Sequence, residues 1–127
     1  MKFRILSLLL AFSLFGFAQQ KLPLIPMPKN IDYQTDFFTL NSKTVIQSND
    51  INSFEALFLK ENIKAQTGLD LEITPESSSK NVIKLNLKLK HYNKEHYNLL
   101  IDKNNILISA SGNQGLFYGV QTLLQNI

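Results

Sequence analysis

Two periods of apolar and polar residues run along this chain, and the change from one to the other marks its elements. From Ile83 to Lys90 the period is two. Ile83, Leu85, Leu87 and Leu89 fall on one side of an extended strand, and Lys84, Asn86, Lys88 and Lys90 on the other. This alternation predicts one buried face and one solvated face, as antiparallel sheets allow. Tyr97–Asp102 and Ile106–Ala110 are apolar runs split by Lys103, Asn104 and Asn105, which predicts a hairpin. Leu69–Thr74 alternates in the same way. Ile31–Gln34, Phe37–Leu40 and Thr44–Gln47 are three shorter strand candidates between turn-prone residues.

The helical period takes over twice. Over Gly112–Ile127, Leu116, Phe117, Val120, Leu123, Leu124 and Ile127 make one stripe. Ser111 with Gln114 three places on is a capping-box signal. Gly115 and Gly119 flank that stripe. Each costs a helix interior about 1 kcal/mol relative to alanine, so close approach of a neighbouring element is the expected reason for both. The other helix runs from about Phe54 to Gln66, with Asn52 or Ser53 at its start and Gly68 at its C-terminal cap. At 100° per residue, Phe54, Leu57, Phe58 and Ala65 share one side, and Ala56, Leu59 and Ile63 share the opposite side. A helix with two apolar sides is covered from two directions.

Strands, helix, strands, helix predicts an α+β domain: an antiparallel or mixed β-sheet with two helices packed on one face. The side of the first helix bearing Ala56, Leu59 and Ile63 is expected to point away from the sheet, toward a cover from outside this domain.

Met1–Ala18 (MKFRILSLLLAFSLFGFA) reads as an export signal, with Lys2 and Arg4, an apolar core from Ile5 to Phe15, and small residues at Gly16 and Ala18. Cleavage after Ala18 would place residues 19–127 in the periplasm or outside the cell, with no membrane attachment remaining. The apolar core is shorter than the ~20 residues a spanning helix needs. Losing Lys2 and Arg4 lowers the formal charge from +3 to +1, so the basic balance is no argument for a nucleic-acid partner. Cysteine is absent, which leaves packing or a partner domain as the source of stability. Leu22–Pro28, with prolines at 23, 26 and 28, is expected to run extended as a strap on the domain.

Candidate chemistry is sparse. Asp70 and Glu72 share one face of a predicted strand, opposite Leu69, Leu71 and Ile73, with no cleft to tune them as an acid–base pair. His91, Glu95 and His96 lie in a loop (HYNKEH) without helical metal-ligand spacing. Ser77–Ser79 has no base beside it, and Gly112, Gly115 and Gly119 precede no phosphate-loop lysine. The lysines of Ile83–Lys90 read as a solvated face guarded against edge pairing. Tyr97 belongs with Leu99 and Ile101 in the core, and Tyr118, opposite the helix stripe, is the candidate for contact with another domain. No catalytic, metal-binding or cofactor-binding residue is assigned.

Leu24-Ile-Pro-Met-Pro28, Glu95-His-Tyr-Asn-Leu99 and Gly115-Leu-Phe-Tyr-Gly-Val-Gln-Thr-Leu-Leu-Gln125 give the chain its likeness to a known family. From about Lys21 to Ile127 it resembles the N-terminal non-catalytic domain of glycoside hydrolase family 20, the β-N-acetylhexosaminidases. The resemblance implies a zincin-like unit of antiparallel sheet and two helices. Those helices would be roofed by a C-terminal (β/α)₈ barrel that removes terminal N-acetylhexosamines from glycans. It also implies substrate-assisted chemistry with an Asp-Glu pair on the barrel. This sequence has no Asp-Glu dipeptide, so no catalytic residue carries over, and the 127 residues are expected to be an inactive fragment or truncated product, meeting glycan only through the barrel. A stand-alone protein- or glycan-binding module, or the N-terminal domain of another glycosidase such as an α-glucuronidase, is the alternative.

Overall fold

The structure is a computed structural model that describes residues 27–32, 35–77 and 80–127. The expected export signal and most of the proline-rich strap lie outside these residues. In chain order the elements are β1 (Val45–Ser48), α1 (Phe54–Thr67), β2 (Glu72–Thr74), β3 (Val82–Asn86), β4 (Tyr97–Ile101), β5 (Asn105–Ala110) and α2 (Asn113–Leu124).

The five strands form one mixed sheet in the order β2-β1-β3-β5-β4. β1 lies parallel to β2 and β3, and β3 parallel to β5; only β4 runs antiparallel, against β5. The sheet is mixed, one of the two forms expected, but β3 is parallel to both neighbours where its alternation suggested antiparallel pairing, and it ends at Asn86, leaving Leu87 exposed. A helix layer on one face alone leaves much of the other face open whatever the strand direction, although Val82 on that face is buried. β3 is also central, so Lys84 guards no edge, and Lys88 and Lys90 lie beyond the strand. Ile31, Asp32 and Phe37–Leu40 form no strand. The Thr39 carbonyl accepts instead from the side-chain amides of Asn41 (3.2 Å) and Asn81 (3.0 Å), which replace a ladder partner.

Register places the core. Ile46, Ile83 and Ile106 are aligned across three strands, and Leu85, Ile108 and Leu99 across the next. Ile46, Ile83, Ile106 and Ile108 are buried beneath the helices, where each fully hidden aliphatic side chain contributes about 1.5–3 kcal/mol. The α1 boundaries follow from its caps. The Ser53 hydroxyl accepts from the Ala56 amide, and Gly68, at φ 78°, ends the helix in the left-handed conformation with its N–H on the Lys64 carbonyl.

α2 starts differently from the expectation. Gly112 is the N-cap and supplies no side chain, while Ser111 lies one residue too early for a capping box. The Ser111 hydroxyl donates to the Asn93 carbonyl (2.6 Å) and the His96 carbonyl (3.3 Å), pinning loop 91–96 to the helix start. The Gly115 N–H donates to the Lys94 carbonyl and so satisfies one first-turn donor. The close approach predicted for the two helix glycines is present. A Cβ on Gly115 would lie 2.5 Å from the His96 carbonyl oxygen, and one on Gly119 would collide with the Ile108 side chain. Tyr97 packs beside Gly119, and its hydroxyl shares a 2.8 Å hydrogen bond with Thr122 of α2.

Candidate functional site

The helical layer presents an aromatic surface to solvent. α1 contributes Phe54, Leu57 and Phe58, spaced to share one side, and α2 contributes Phe117. The rings of Phe54, Phe58 and Phe117 form a triangle with centroids 5.6, 5.8 and 5.3 Å apart, within the range of favourable aromatic pairs. Part of this surface stays open: Phe54 is 63% and neighbouring Leu57 44% exposed, while Phe58 and Phe117 are half-buried. Phe117 also meets Tyr118, whose hydroxyl accepts from the Gln114 amide at 2.9 Å. Tyr118 thus stands at the edge of this surface, half-buried and tied to its own helix.

α1 is apolar on two sides, but the sides are the reverse of those expected. Ala56, Leu59 and Ile63 are fully buried against the sheet, and the side bearing Phe54 and Leu57 is the open one. The physical reason is close packing. Ala56 adds only a methyl between helix and sheet, so α1 approaches through its slim side. Large rings at Phe54 and Phe58 fit the helix–helix boundary and the outer surface. The expectation that the Ala56 side awaits an outside cover is overturned by their burial within the chain itself.

The other singled-out residues are structural in their surroundings. Asp70 is held by Lys60 (3.1 Å) and Lys64 (2.8 Å), both on α1, and Glu72 is exposed at the sheet edge. The Lys64 hydrogen bond, then Lys60, holds the Asp70 carboxyl below the usual carboxylate range. Asp102 caps the β4–β5 turn by accepting from the amides of Asn104 (2.7 Å) and Asn105 (2.8 Å), which lower its pKa in the same direction. His91 and His96 are brought together, but as stacked rings with centroids 4.0 Å apart, and His91 also stacks on Tyr92. The His91 Nδ1 accepts from the Asn93 amide and so fixes a turn. Among the described residues no group of three or more His, Asp or Glu side chains is placed to hold a metal ion. No helix among them is long and apolar enough to cross a membrane.

What the fold and its surfaces define is a small α+β domain: two layers, one outward aromatic helix surface, and no assembled acid–base or nucleophilic cluster among the described residues. Residues 21–127 match the model for glycosyl hydrolase family 20, domain 2, and the chain belongs to that family. Two of the solved structures that share its fold are glycoside hydrolase family 20 enzymes. One is the family 20 β-N-acetylhexosaminidase from Streptomyces coelicolor A3(2), 28% identical over 77% of this chain and 20% of that one, with a TM-score of 0.66. The other is a glycoside hydrolase family 20 β-N-acetylglucosaminidase, 29% identical over 79% of this chain and 18% of that one, with a TM-score of 0.61. The chain therefore corresponds to about a fifth of the length of each enzyme. No curated protein matches it.

Proposed function

We propose that this domain is the non-catalytic shoulder of an exported β-N-acetylhexosaminidase, and that its aromatic helix surface docks against the enzyme's (β/α)₈ barrel. The barrel would carry the Asp-Glu pair and the hydrolysis of terminal N-acetylhexosamines. The chain described here would hold that barrel in place and supply no reacting group. One observation supports the reading: large apolar side chains face solvent on a domain that matches only about a fifth of the length of the two solved enzymes. Exposed apolar surface of this kind marks an interface rather than a finished exterior. The export signal read at Met1–Ala18 supplies the location, and a glycan in the periplasm or outside the cell is the corresponding substrate.

The test compares this chain with the same chain extended by the coding sequence after Ile127. Only the extended protein should release p-nitrophenol from p-nitrophenyl-N-acetylglucosaminide. Phe54→Ser with Leu57→Ser should lower the melting temperature of the extended protein well beyond the few degrees that losing the Phe54 ring pairs costs the 127-residue chain. Turnover by the short chain, or an extended protein indifferent to the double substitution, would overturn the proposal.

A further inference from the structure

The sheet ends on two unlike edges. β2, at one end, has three residues and carries exposed Glu72. β4, at the other, has five (Tyr97-Asn-Leu-Leu-Ile101), all uncharged, with no proline and no bulge in its register. The unpaired N–H and C=O groups of a long edge are a template for another strand, and folded proteins guard them with charge, proline, a bulge or a covering segment. β4 has none of these along its length, and no strand pairs with its outer side among the described residues.

The outward groups of β4 follow from its pairing with β5. The Ser111 N–H donates to the His96 carbonyl, and the Asp102 N–H to the Asn105 carbonyl. Antiparallel bonding alternates, so Asn98 and Leu100, between those two, are turned to β5, and Tyr97, Leu99 and Ile101 direct their backbone groups outward. The side chains of these three pack on the core, while Leu100, on the opposite face, is 50% exposed. This arrangement is symmetric about Leu99 and is therefore its own complement. A second copy laid antiparallel about a twofold axis at Leu99 sets Tyr97 against Ile101 of that copy, and Leu99 against its counterpart. Each such pair would exchange both of its hydrogen bonds. The flanking turns then meet acid to base: Glu95 comes against Lys103 of the second copy, and His96 against Asp102. Glu95 and Lys103 are exposed and form no ion pair among the described residues. Lys94 is turned toward the start of α2, beside Gly112, and falls opposite Asn104 of the second copy.

We propose that β4 pairs with β4 of a second copy of this chain and joins the two five-stranded sheets into one. The helices fit this arrangement. α2 lies over β4 and β5, and neighbouring strands are about 4.8 Å apart, so the twofold sets the two α2 axes about 10 Å apart, within the spacing of packed helices. Tyr118, one turn before Thr122 on the β4 side of α2, falls on the seam between them. The contact is one short strand and this seam, at the low end of interface sizes, so the pair is weak and forms at micromolar concentration or above. The aromatic triangle of Phe54, Phe58 and Phe117 lies on the other side of α2, toward α1, and takes no part in it.

Sedimentation equilibrium of the chain from micromolar to millimolar concentration, with amide hydrogen exchange at both ends of the series, tests this. A reversible monomer–dimer equilibrium is expected. The N–H groups of Tyr97, Leu99 and Ile101 should exchange freely in the dilute chain and at least about tenfold more slowly in the concentrated one, while those of Asn98 and Leu100 stay protected throughout. Leu100→Lys sets two like charges diagonally across the twofold and should weaken the dimer by about tenfold or more. Glu95→Lys should weaken it by about fivefold, and Glu95→Lys with Lys103→Glu should restore it. Should Leu100→Lys not fold, this charge exchange at two exposed positions carries the test. A chain monomeric at millimolar concentration, a dimer indifferent to Leu100→Lys or not restored by the charge exchange, or one abolished by Phe54→Ser with Leu57→Ser overturns the proposal. Turnover and barrel docking are read on the extended protein, so the two readings fail separately.

Discussion

Gly115→Ala isolates the contact between α2 and loop 91–96. By helix propensity alone the substitution is favourable by about 1 kcal/mol. The surroundings oppose it. The added Cβ would lie 2.5 Å from the His96 carbonyl oxygen and 3.0 Å from both the carbonyl carbon and oxygen of Glu95. These are backbone atoms, with no rotamer to swing away, so the loop itself must move. Three kinds of hydrogen bond hold it: Gly115 N–H to Lys94, Ser111 N–H to His96, and the Ser111 hydroxyl to Asn93 and His96. Losing about three bonds at about 1 kcal/mol each outweighs the propensity gain and leaves a net cost of about 2 kcal/mol. For a domain of this size that lowers the melting temperature by roughly 8–16 °C. Thermal unfolding followed by far-UV circular dichroism reads it directly. A melting temperature equal to or above that of the parent would show that the loop yields freely, and the packing argument for the helix glycines would be wrong.

Other consequences are more local. Tyr97→Phe removes the 2.8 Å hydroxyl bond to Thr122 and should cost about 1 kcal/mol in urea denaturation; Thr122→Val in addition should cost much less than the separate effects summed, because both act on one bond. Leu59→Ala, at a fully buried position over the sheet, should cost about 2–5 kcal/mol, whereas Leu57→Ala on the open side should stay near neutral in the 127-residue chain. Asp102 has its folded pKa lowered by the Asn104 and Asn105 amides, so its contribution is full above the unfolded value of about 3.9 and disappears as pH falls through the lower folded value. The amide shifts of Asn104 and Asn105 should therefore titrate below that value, and Asp102→Ala should abolish the titration.

Legibility in the sequence followed the range of the forces involved. The β4–β5 hairpin, the start and end of α1, and the apolar stripe of α2 depend on neighbours within a turn or a pleat, and residues such as Gly68 and Asn104 announce them locally. Strand direction does not. Nothing in Ile83–Asn86 tells whether Val45 or Tyr97 runs alongside, because period-two burial is the same for both senses of pairing. The two sides of α1 were visible, but their assignment required knowing that helix and sheet meet most closely at Ala56. Bulk and hydrophobicity alone favoured Phe54 and Phe58 for the interior. Gln47 gave no signal at all, since its side-chain amide meets the Pro75 carbonyl only where β1 and β2 come together.

The position of β3 governs how the sheet can be completed as the chain leaves the ribosome. β3 stands between β1 and β5, yet β1, α1 and β2 are all synthesised before it. At translation speeds of about 5–20 residues per second, the nascent chain spends seconds with α1 resting on only two short strands. Through that interval the buried side of β1 has no neighbour along one edge, and Leu59 and Ile63 have only part of their floor. Within the domain, the hairpin with α2 follows all the other elements, and it is the piece that closes the open edge of β3.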